Sequence, residues 1–314
     1  MDNLNYKLPG GIFSGDALQH IGENRAKMQG IVRPSMNYWQ SAKIRFIQNK
    51  GAMFCMGVLL FYIVMAIVGP HMLPYDPNAV DASIADQPIS KIHWFGTDTM
   101  GRDLWCRTWI GTRVSIIIGF VVAILTRLLG AIIGGISGYI GGKVDMVIMR
   151  VIDILYAIPY LIVVILLSVI LGRGFSTLIV AMVFNGWLGT ARLVRGQVLQ
   201  LKTNEFVLAA KLLGASNARI ITKHLIPNVM NLIIVSLIMS VPSAIFSEAF
   251  LSFLGLGVKP PDTSLGQLAV TGATAFRYYP WKFAVPSFLL CTIMLCLNVM
   301  GNGLRDALDP KQRS

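Results

Sequence analysis

The sequence predicts an all-α integral membrane protein with six transmembrane helices. Hydrophobic residues make up 54% of the 314-residue chain and charged residues only 13%, whereas a soluble protein has about 25% charged residues. The apolar residues are grouped in long blocks, each near or above the roughly 20 residues that a helix needs to cross a bilayer. A transmembrane β-barrel would instead alternate apolar and polar residues over segments of about ten residues.

Six apolar blocks are predicted to be the spans. Their limits are Ala52–Gly69, Val114–Ile140, Val147–Leu171, Phe175–Val194, Val229–Leu254 and Phe283–Leu304. The fourth block is the least apolar, because Asn185, Gly186 and Gly189 interrupt it. Three prolines lie within the third, fifth and sixth blocks: Pro159, Pro242 and Pro286. Such prolines are tolerated where neighbours satisfy the freed carbonyls, and the sequence leaves open whether they act as hinges or as fixed bends.

The distribution of charge predicts the orientation of the chain. When the N-terminus is placed in the cytoplasm and the six spans alternate, the inner segments hold most of the 27 lysines and arginines. This bias follows the positive-inside rule and predicts that both termini are cytoplasmic. The net charge of +12 is therefore interpreted as a topology signal. A nucleic-acid-binding protein would gather its basic residues on one soluble face, so no nucleic-acid partner is expected.

The segments around the first span differ in character. Residues 1–36 have no periodic pattern and are predicted to be a poorly ordered cytoplasmic tail. Residues 37–50 mix aromatic and aliphatic side chains with basic ones, which favours an amphipathic helix at the inner membrane surface over an ordinary basic flank. The first span is then 51–69, followed by an extracytoplasmic loop, 70–113. Residues 114–304 form a five-helix core, and residues 305–314 form a cytoplasmic tail.

The end of the outer loop carries turn and capping residues. Gly96 and Gly101 suit tight turns, and Asp98, Arg102 and Asp103 are spaced to form a local ion-pair and capping network. Such a network either locks the loop to the start of the second span or helps to receive an external partner. We favour the structural role.

Glycines recur every four residues along the second span. They are Gly130, Gly134, Gly138 and Gly142. Small residues at this spacing allow close helix packing in lipid, so we predict that these glycines form a packing face. The adjoining run Gly141-Gly142-Lys143 is not a nucleotide-binding loop, because Val144 stands where a serine or threonine is required. With no other Walker motif present, the chain has no ATP site of its own.

The inner segment 195–228, between the fourth and fifth spans, is too long for a simple connector. Phe206, Ala209 and Leu213, together with Ala210 and Leu212, recur at helical spacings and predict one apolar face.

Gly214 is predicted to break this helix, after which Ser216 or Asn217 caps a second helix that runs to Pro227. The pattern predicts either an elbow of two short helices to which another chain docks, or an amphipathic loop resting on the membrane.

The run from Glu205 to Asn228 resembles the cytoplasmic loop of ABC importer permeases. That loop has a Glu-Ala-Ala triplet, a glycine four residues later and a Leu-Pro-like end. Four positions match: Ala209, Ala210, Gly214 and Pro227. Leu208 stands at the glutamate position of the triplet, and Glu205 lies one turn earlier.

Further segments are similar to the C-type membrane subunit of bacterial oligopeptide and dipeptide importers, close relatives of which carry nickel chelates. They are Phe95–Asp103, Leu251–Gly257 and Asn302–Pro310. The resemblance runs from about Asn37 to the C-terminus. It implies a type I ABC importer permease fold in a bacterial cell membrane, with loop 195–228 holding the coupling helix that docks to an ATPase. The implied coupling residues are Glu205, Ala209, Ala210, Gly214, Ala215 and Pro227.

The resemblance also implies partners and a division of labour. The expected partners are a homologous second permease, two ATP-binding ATPase subunits, an extracytoplasmic substrate-binding protein and the lipid bilayer. The chain itself is expected to catalyse no reaction and to need no metal or cofactor. Import of nickel or another small solute is an alternative to peptide import, and a self-sufficient secondary transporter is an alternative of a different class.

Ionisable residues inside spans are costly in lipid and normally face protein or water. Arg127 and Glu248 are two such residues. In importers of the resembling family the fifth span contributes to the translocation path, so Ser243, Ser247 and Glu248 are predicted to line it. An interhelical hydrogen bond is an equally compatible role for Glu248.

Overall fold

The computed structural model describes residues 38–308, and all regular structure in this range is helical. The chain divides into two units, residues 1–41 and 42–314. The first helices are α1 (Tyr38–Gln48), α2 (Lys50–Val68), α3 (Leu104–Ile140), α4 (Gly142–Ala157), α5 (Tyr160–Ile170) and α6 (Phe175–Leu201). The remaining helices are α7 (Glu205–Leu212), α8 (Asn217–Ile220), α9 (Ile226–Phe253), α10 (Leu265–Thr274) and α11 (Pro280–Leu308). All helices from α2 onward belong to the second unit.

The predicted segment 37–50 contains helix α1, which ends at Gln48. Asn49 then caps α2, since its side-chain oxygen accepts a hydrogen bond from the Ala52 amide at 3.1 Å. The position of α1 at a membrane surface stays a prediction. The predicted tail 1–36 lies outside the described residues, as do the last residues of the predicted tail 305–314.

The helices agree with the predicted membrane class. Within residues 38–308, five continuous helical segments are long and apolar enough to cross a bilayer, and the pair α4 and α5 makes a sixth if it counts as one broken span. The five include α2, α3, α6 and α11, together with a 37-residue segment, Asn217–Phe253, that contains α9. The all-α fold class predicted from the sequence is therefore confirmed.

The third predicted span, 147–171, is not one straight helix. Helix α4 ends at Ala157, α5 begins at Tyr160, and their axes differ in direction by 85°. Ile158 is extended, at φ −83° and ψ 121°, because a residue that precedes a proline avoids the helical region. Pro159 thus breaks this span, whereas Pro242 and Pro286 lie inside the continuous helices α9 and α11.

The helix that contains the second predicted span begins ten residues before the predicted limit of that span. The predicted span starts at Val114, whereas helix α3 starts at Leu104. Asp103 caps it, and its side chain accepts a hydrogen bond from the Cys106 amide at 2.9 Å. Apolarity alone missed this start, because the first turns of α3 contain polar residues, including the buried Arg107.

Three of the four repeated glycines bring α3 against α6. A Cβ atom on Gly130 would lie 2.4 Å from Cβ of Thr190, and one on Gly134 would lie 2.3 Å from the Ala191 carbonyl oxygen. A Cβ atom on Gly138 would lie 2.9 Å from the Arg195 carbonyl oxygen. The two backbones therefore approach so closely that no side chain fits between them.

Gly142 differs from the predicted packing face. Helix α3 ends at Ile140, and Gly142 begins α4 with a positive φ of 55° and no atom within 4 Å of a Cβ built on it. The four-residue repeat continues past the end of the helix, so the spacing alone placed Gly142 on a face that it does not share.

The network predicted at the end of loop 70–113 is formed. Asp98 binds the Arg102 guanidinium at 2.7 Å and accepts hydrogen bonds from the amides of Met100 and Arg102. Asp103 pairs with His93 at 2.8 Å in addition to capping α3. Both carboxylates are buried, so the network fastens the loop to the start of α3.

Candidate functional site

Segment 195–228 contains the predicted elbow, with shorter limits. Helix α6 continues to Leu201, so the connector begins only at Lys202, and α7 is the first limb. Gly214 ends this limb at φ 78°, and the Ala215 amide donates to the Ala210 carbonyl at 3.1 Å. This is the bond pattern of a glycine-terminated helix. Ser216 then caps α8, since its hydroxyl accepts a hydrogen bond from the Arg219 amide.

The two faces of α7 differ in their surroundings. Val207 and Ala210 are buried in a core cluster with residues of α6, α8 and α9. Of the apolar face predicted from spacing, only Ala210 belongs to this core, and the large side chains of the face point away from it. Phe206 is 38% exposed, and the exposed fractions of Leu212 and Leu213 are 88% and 87%. The end of the elbow therefore presents large apolar side chains that nothing in the described chain covers.

The predicted coupling residues are divided between these surroundings. Glu205, Ala209, Gly214 and Pro227 are exposed, Ala215 is half-buried, and Ala210 is buried. Ala210 therefore holds α7 in place, and a second chain has access only to the exposed positions.

Pro227 does not end the second limb, contrary to the prediction. One π-helical turn, Ile221–Leu225, joins α8 to α9, so the helix continues through the proline. Pro227 lies in the first α-helical turn of α9, directly after the π-helical turn, and proline is tolerated at the start of an α-helix. The carbonyl of His224 is satisfied by the side-chain amide of Asn228 at 2.6 Å. The second limb is thus continuous with the fifth span, over residues Asn217–Phe253.

A cavity of about 240 Å³ lies between α3, α5, α6 and α9. The polar groups on its wall are the side chains of Thr126, Arg127, Tyr160, Asn185, Ser240, Ser243 and Ser247. Met182 and four small apolar side chains or glycines complete the wall, and none of its residues is acidic.

Of the predicted path residues, the structure brings Ser243 and Ser247 to this cavity but not Glu248. The Glu248 side chain is fully buried, at 0% exposure. Its carboxylate accepts hydrogen bonds from the hydroxyls of Ser115 at 3.0 Å, Ser252 at 2.8 Å and Ser264 at 2.6 Å. Glu248 therefore joins α3, α9 and α10, which is the interhelical role that the sequence left open.

Two of the three residues that made the fourth block the least apolar are explained by this cavity. Asn185 and Gly186 lie on the cavity wall, and a Cβ atom on Gly186 would lie 2.6 Å from Cγ2 of Thr126. Tyr160 and Asn185 were not selected from the sequence as path residues. The only signal for Asn185 was an amide inside an otherwise apolar span.

Comparison with known proteins decides the family. The model for the binding-protein-dependent transport system inner membrane component matches residues 130–314. The chain belongs to this family of membrane transport permeases. A second model, the N-terminal transmembrane domain of oligopeptide transport permease C, matches residues 37–88. The family resemblance stated from the sequence is confirmed.

Relatives cover nearly the whole permease. The oligopeptide transport system permease protein OppC of Bacillus subtilis is 49% identical over 92% of this chain and 95% of its own. The dipeptide transport system permease protein DppC of the same organism is 48% identical over 93% and 91%. OppC of Haemophilus influenzae is 41% identical over 96% of both chains.

A solved structure of the MetNI methionine ABC transporter, in an inward-facing conformation, has a chain with the same fold. Its TM-score is 0.50 at 18% identity, over 63% of this chain and 94% of that one. The predicted importer-permease fold is thus confirmed.

Proposed function

We propose that this permease forms half of a transmembrane pathway for oligopeptides or dipeptides and that ATPase subunits drive it through the elbow. The observation that carries the proposal is the pair Leu212 and Leu213, which are almost fully exposed at the tip of the elbow. Large apolar side chains presented together at the surface are typical of a protein interface. The chain has no Walker motif, so ATP hydrolysis belongs to the partner chains.

The proposed complex contains this permease, a homologous second permease, two ATP-binding subunits and an extracytoplasmic substrate-binding protein. The excess of basic residues in the inner segments supports a cytoplasmic location for the elbow and for both termini. The three relatives described above are named for oligopeptide or dipeptide transport, which favours peptides over nickel or another small solute. Membership of a binding-protein-dependent family favours an importer complex over a self-sufficient secondary transporter.

Continuity between the elbow and the cavity wall supplies the proposed coupling mechanism. The second limb runs without a break into α9, and α9 contributes Ser240, Ser243 and Ser247 to the cavity. Movement of the elbow, caused by closure of the ATPase subunits, would displace α9 as a rigid body. Rigid-body displacement of helices is an established way to switch between two states. Here the two states expose the cavity to opposite sides of the membrane.

The path assignment is tested by narrowing the cavity. Replacing Ser243 and Ser247 together by leucine fills the wall with apolar volume and removes two hydroxyls. We expect ATP-driven peptide uptake by the assembled complex to fall at least about tenfold, because the leucines obstruct the cavity through which the peptide passes. A tenfold fall corresponds to a rise of about 1.4 kcal/mol in the barrier to transport. Uptake is measured in proteoliposomes with a labelled peptide.

The matched control is Ser168→Leu. Ser168 is a serine of α5 that is half-buried but does not line the cavity. This substitution adds the volume of one of the two replacements at a position away from the cavity, and uptake by this control should stay near that of the unaltered complex. If the double variant assembles and transports as fast as this control, the cavity is not part of the path.

A further inference from the structure

Arg127 is the only charged residue on the described cavity wall. It lies near the middle of α3, with its Nε–H donating to the Ser236 carbonyl at 3.3 Å and its Nη1–H donating to the Thr190 hydroxyl. These bonds hold the guanidinium between α6 and α9 but use only two of its five N–H donors. The side chain is half-buried, so part of it stays open to the cavity.

The positive charge of Arg127 is not neutralised inside the described part of the chain. No aspartate or glutamate between residues 38 and 308 forms an ion pair with it, although five ion pairs of arginine or lysine occur elsewhere in that range. The other polar groups on the cavity wall are all neutral: they are hydroxyls and the amide of Asn185. A cation at membrane depth is costly without an anionic or aqueous partner.

We infer that Arg127 receives the terminal carboxylate of the transported peptide, an inference that rests on the path proposed above. A guanidinium binds a carboxylate through parallel N–H bonds, which adds direction as well as attraction. A free peptide also carries a positive amino terminus, and this wall has no acidic group to receive it. The carboxyl end therefore faces this permease, and the amino end faces the wall that the second permease supplies.

The test compares two peptides in the complete reconstituted complex, with its binding protein in saturating amount. One is a labelled tri-alanine with a free carboxylate, and the other is the same peptide with a C-terminal amide. The measured quantity is the ratio of their initial ATP-driven uptake rates, in the unaltered complex and in the Arg127→Gln complex. The preference of the binding protein for either peptide is the same in both complexes, so it cancels when the two ratios are compared.

We expect the ratio of free peptide to amide to be at least about tenfold higher in the unaltered complex than in Arg127→Gln, since only the free peptide loses charge-assisted hydrogen bonds to the guanidinium. Arg127→Lys keeps the positive charge but loses the two parallel N–H donors of the guanidinium. Its ratio of free peptide to amide should be about threefold below that of the unaltered complex, which corresponds to about half of the free-energy change expected for Arg127→Gln. If Arg127→Gln does not assemble, the lysine variant decides alone.

Equal ratios in the unaltered and variant complexes would overturn the inference, because Arg127 would then act only as a brace between helices. An equal loss of uptake for both peptides has the same meaning. Failure of the proposed function itself gives a different result, since the unaltered complex would then transport neither peptide.

Discussion

Replacement of Gly134 by alanine is expected to destabilise the permease more than any other single methyl addition in the second span. The added Cβ would lie 2.3 Å from the Ala191 carbonyl oxygen and 3.0 Å from the Ala191 Cα. These are backbone atoms of α6, so no side chain can rotate away to relieve the clash. Overpacking costs about 1–3 kcal/mol and occasionally more, and we expect a value at the upper end of that range.

Gly196→Ala is the matched control for this prediction. Gly196 lies inside α6, the helix that faces Gly134, and nothing lies within 4 Å of a Cβ built on it. Alanine in a helix interior is favoured over glycine by about 0.5–1 kcal/mol, so this variant should be at least as stable as the original protein. Thermal unfolding in detergent measures both. Equal midpoints for the two variants would show that α3 and α6 do not approach as closely as described.

Truncation of the exposed leucines of the elbow is the second change with a large expected effect. For the double variant Leu212→Ala with Leu213→Ala we expect ATP-driven uptake to fall at least about tenfold. If the ATPase subunits bury these side chains as a core would, each Leu→Ala change costs about 2–5 kcal/mol, and a tenfold effect needs only about 1.4 kcal/mol. The stability of the isolated permease should hardly change, since neither side chain contributes to its core. Co-purification of the ATPase subunits should weaken in parallel with uptake.

A second pair of exposed leucines provides the control. Leu128 and Leu129 are 54% and 39% exposed on the membrane-spanning helix α3, far along the chain from the elbow. Leu128→Ala, Leu129→Ala removes the same side chains, and ATPase co-purification should be unaffected. Normal ATPase binding by the elbow variant would contradict the docking assignment.

The sequence predicted the membrane class and most of the spans because a bilayer imposes a length and an apolarity that a single chain must meet. It predicted the network of Asp98 and Asp103 because capping and turn residues act over a few positions. It did not give the start of α3, since the capping residue Asp103 lies eleven residues before the apolar block.

The errors concern features that depend on distant parts of the chain. The spacing of Phe206 and Leu213 revealed an apolar face, but only the packing of Val207 against α6 and α9 shows that this face points outward. Likewise, Glu248 and Ser247 are neighbours in sequence, yet one is fully buried against Ser264 and the other lines the cavity. Adjacent residues on a helix point 100° apart, so proximity in sequence did not predict a shared environment.

The cavity itself could not be predicted, because it is made by four helices whose relative positions no local pattern specifies. Its polar residues were visible one at a time, as Arg127 in the second span and as Asn185 in the fourth. What brings them together is the close approach of α3 and α6 at Gly130 and Gly134, which aligns the two polar residues on one wall.

Reconstitution of defined subunits into proteoliposomes tests the central claim most directly. Uptake of a labelled peptide is measured with this permease alone, and then with the second permease, the ATPase subunits, the binding protein and ATP. We predict no uptake by the permease alone and ATP-dependent uptake by the complete set. Sustained peptide uptake by this chain alone, without ATPase subunits, would contradict the account.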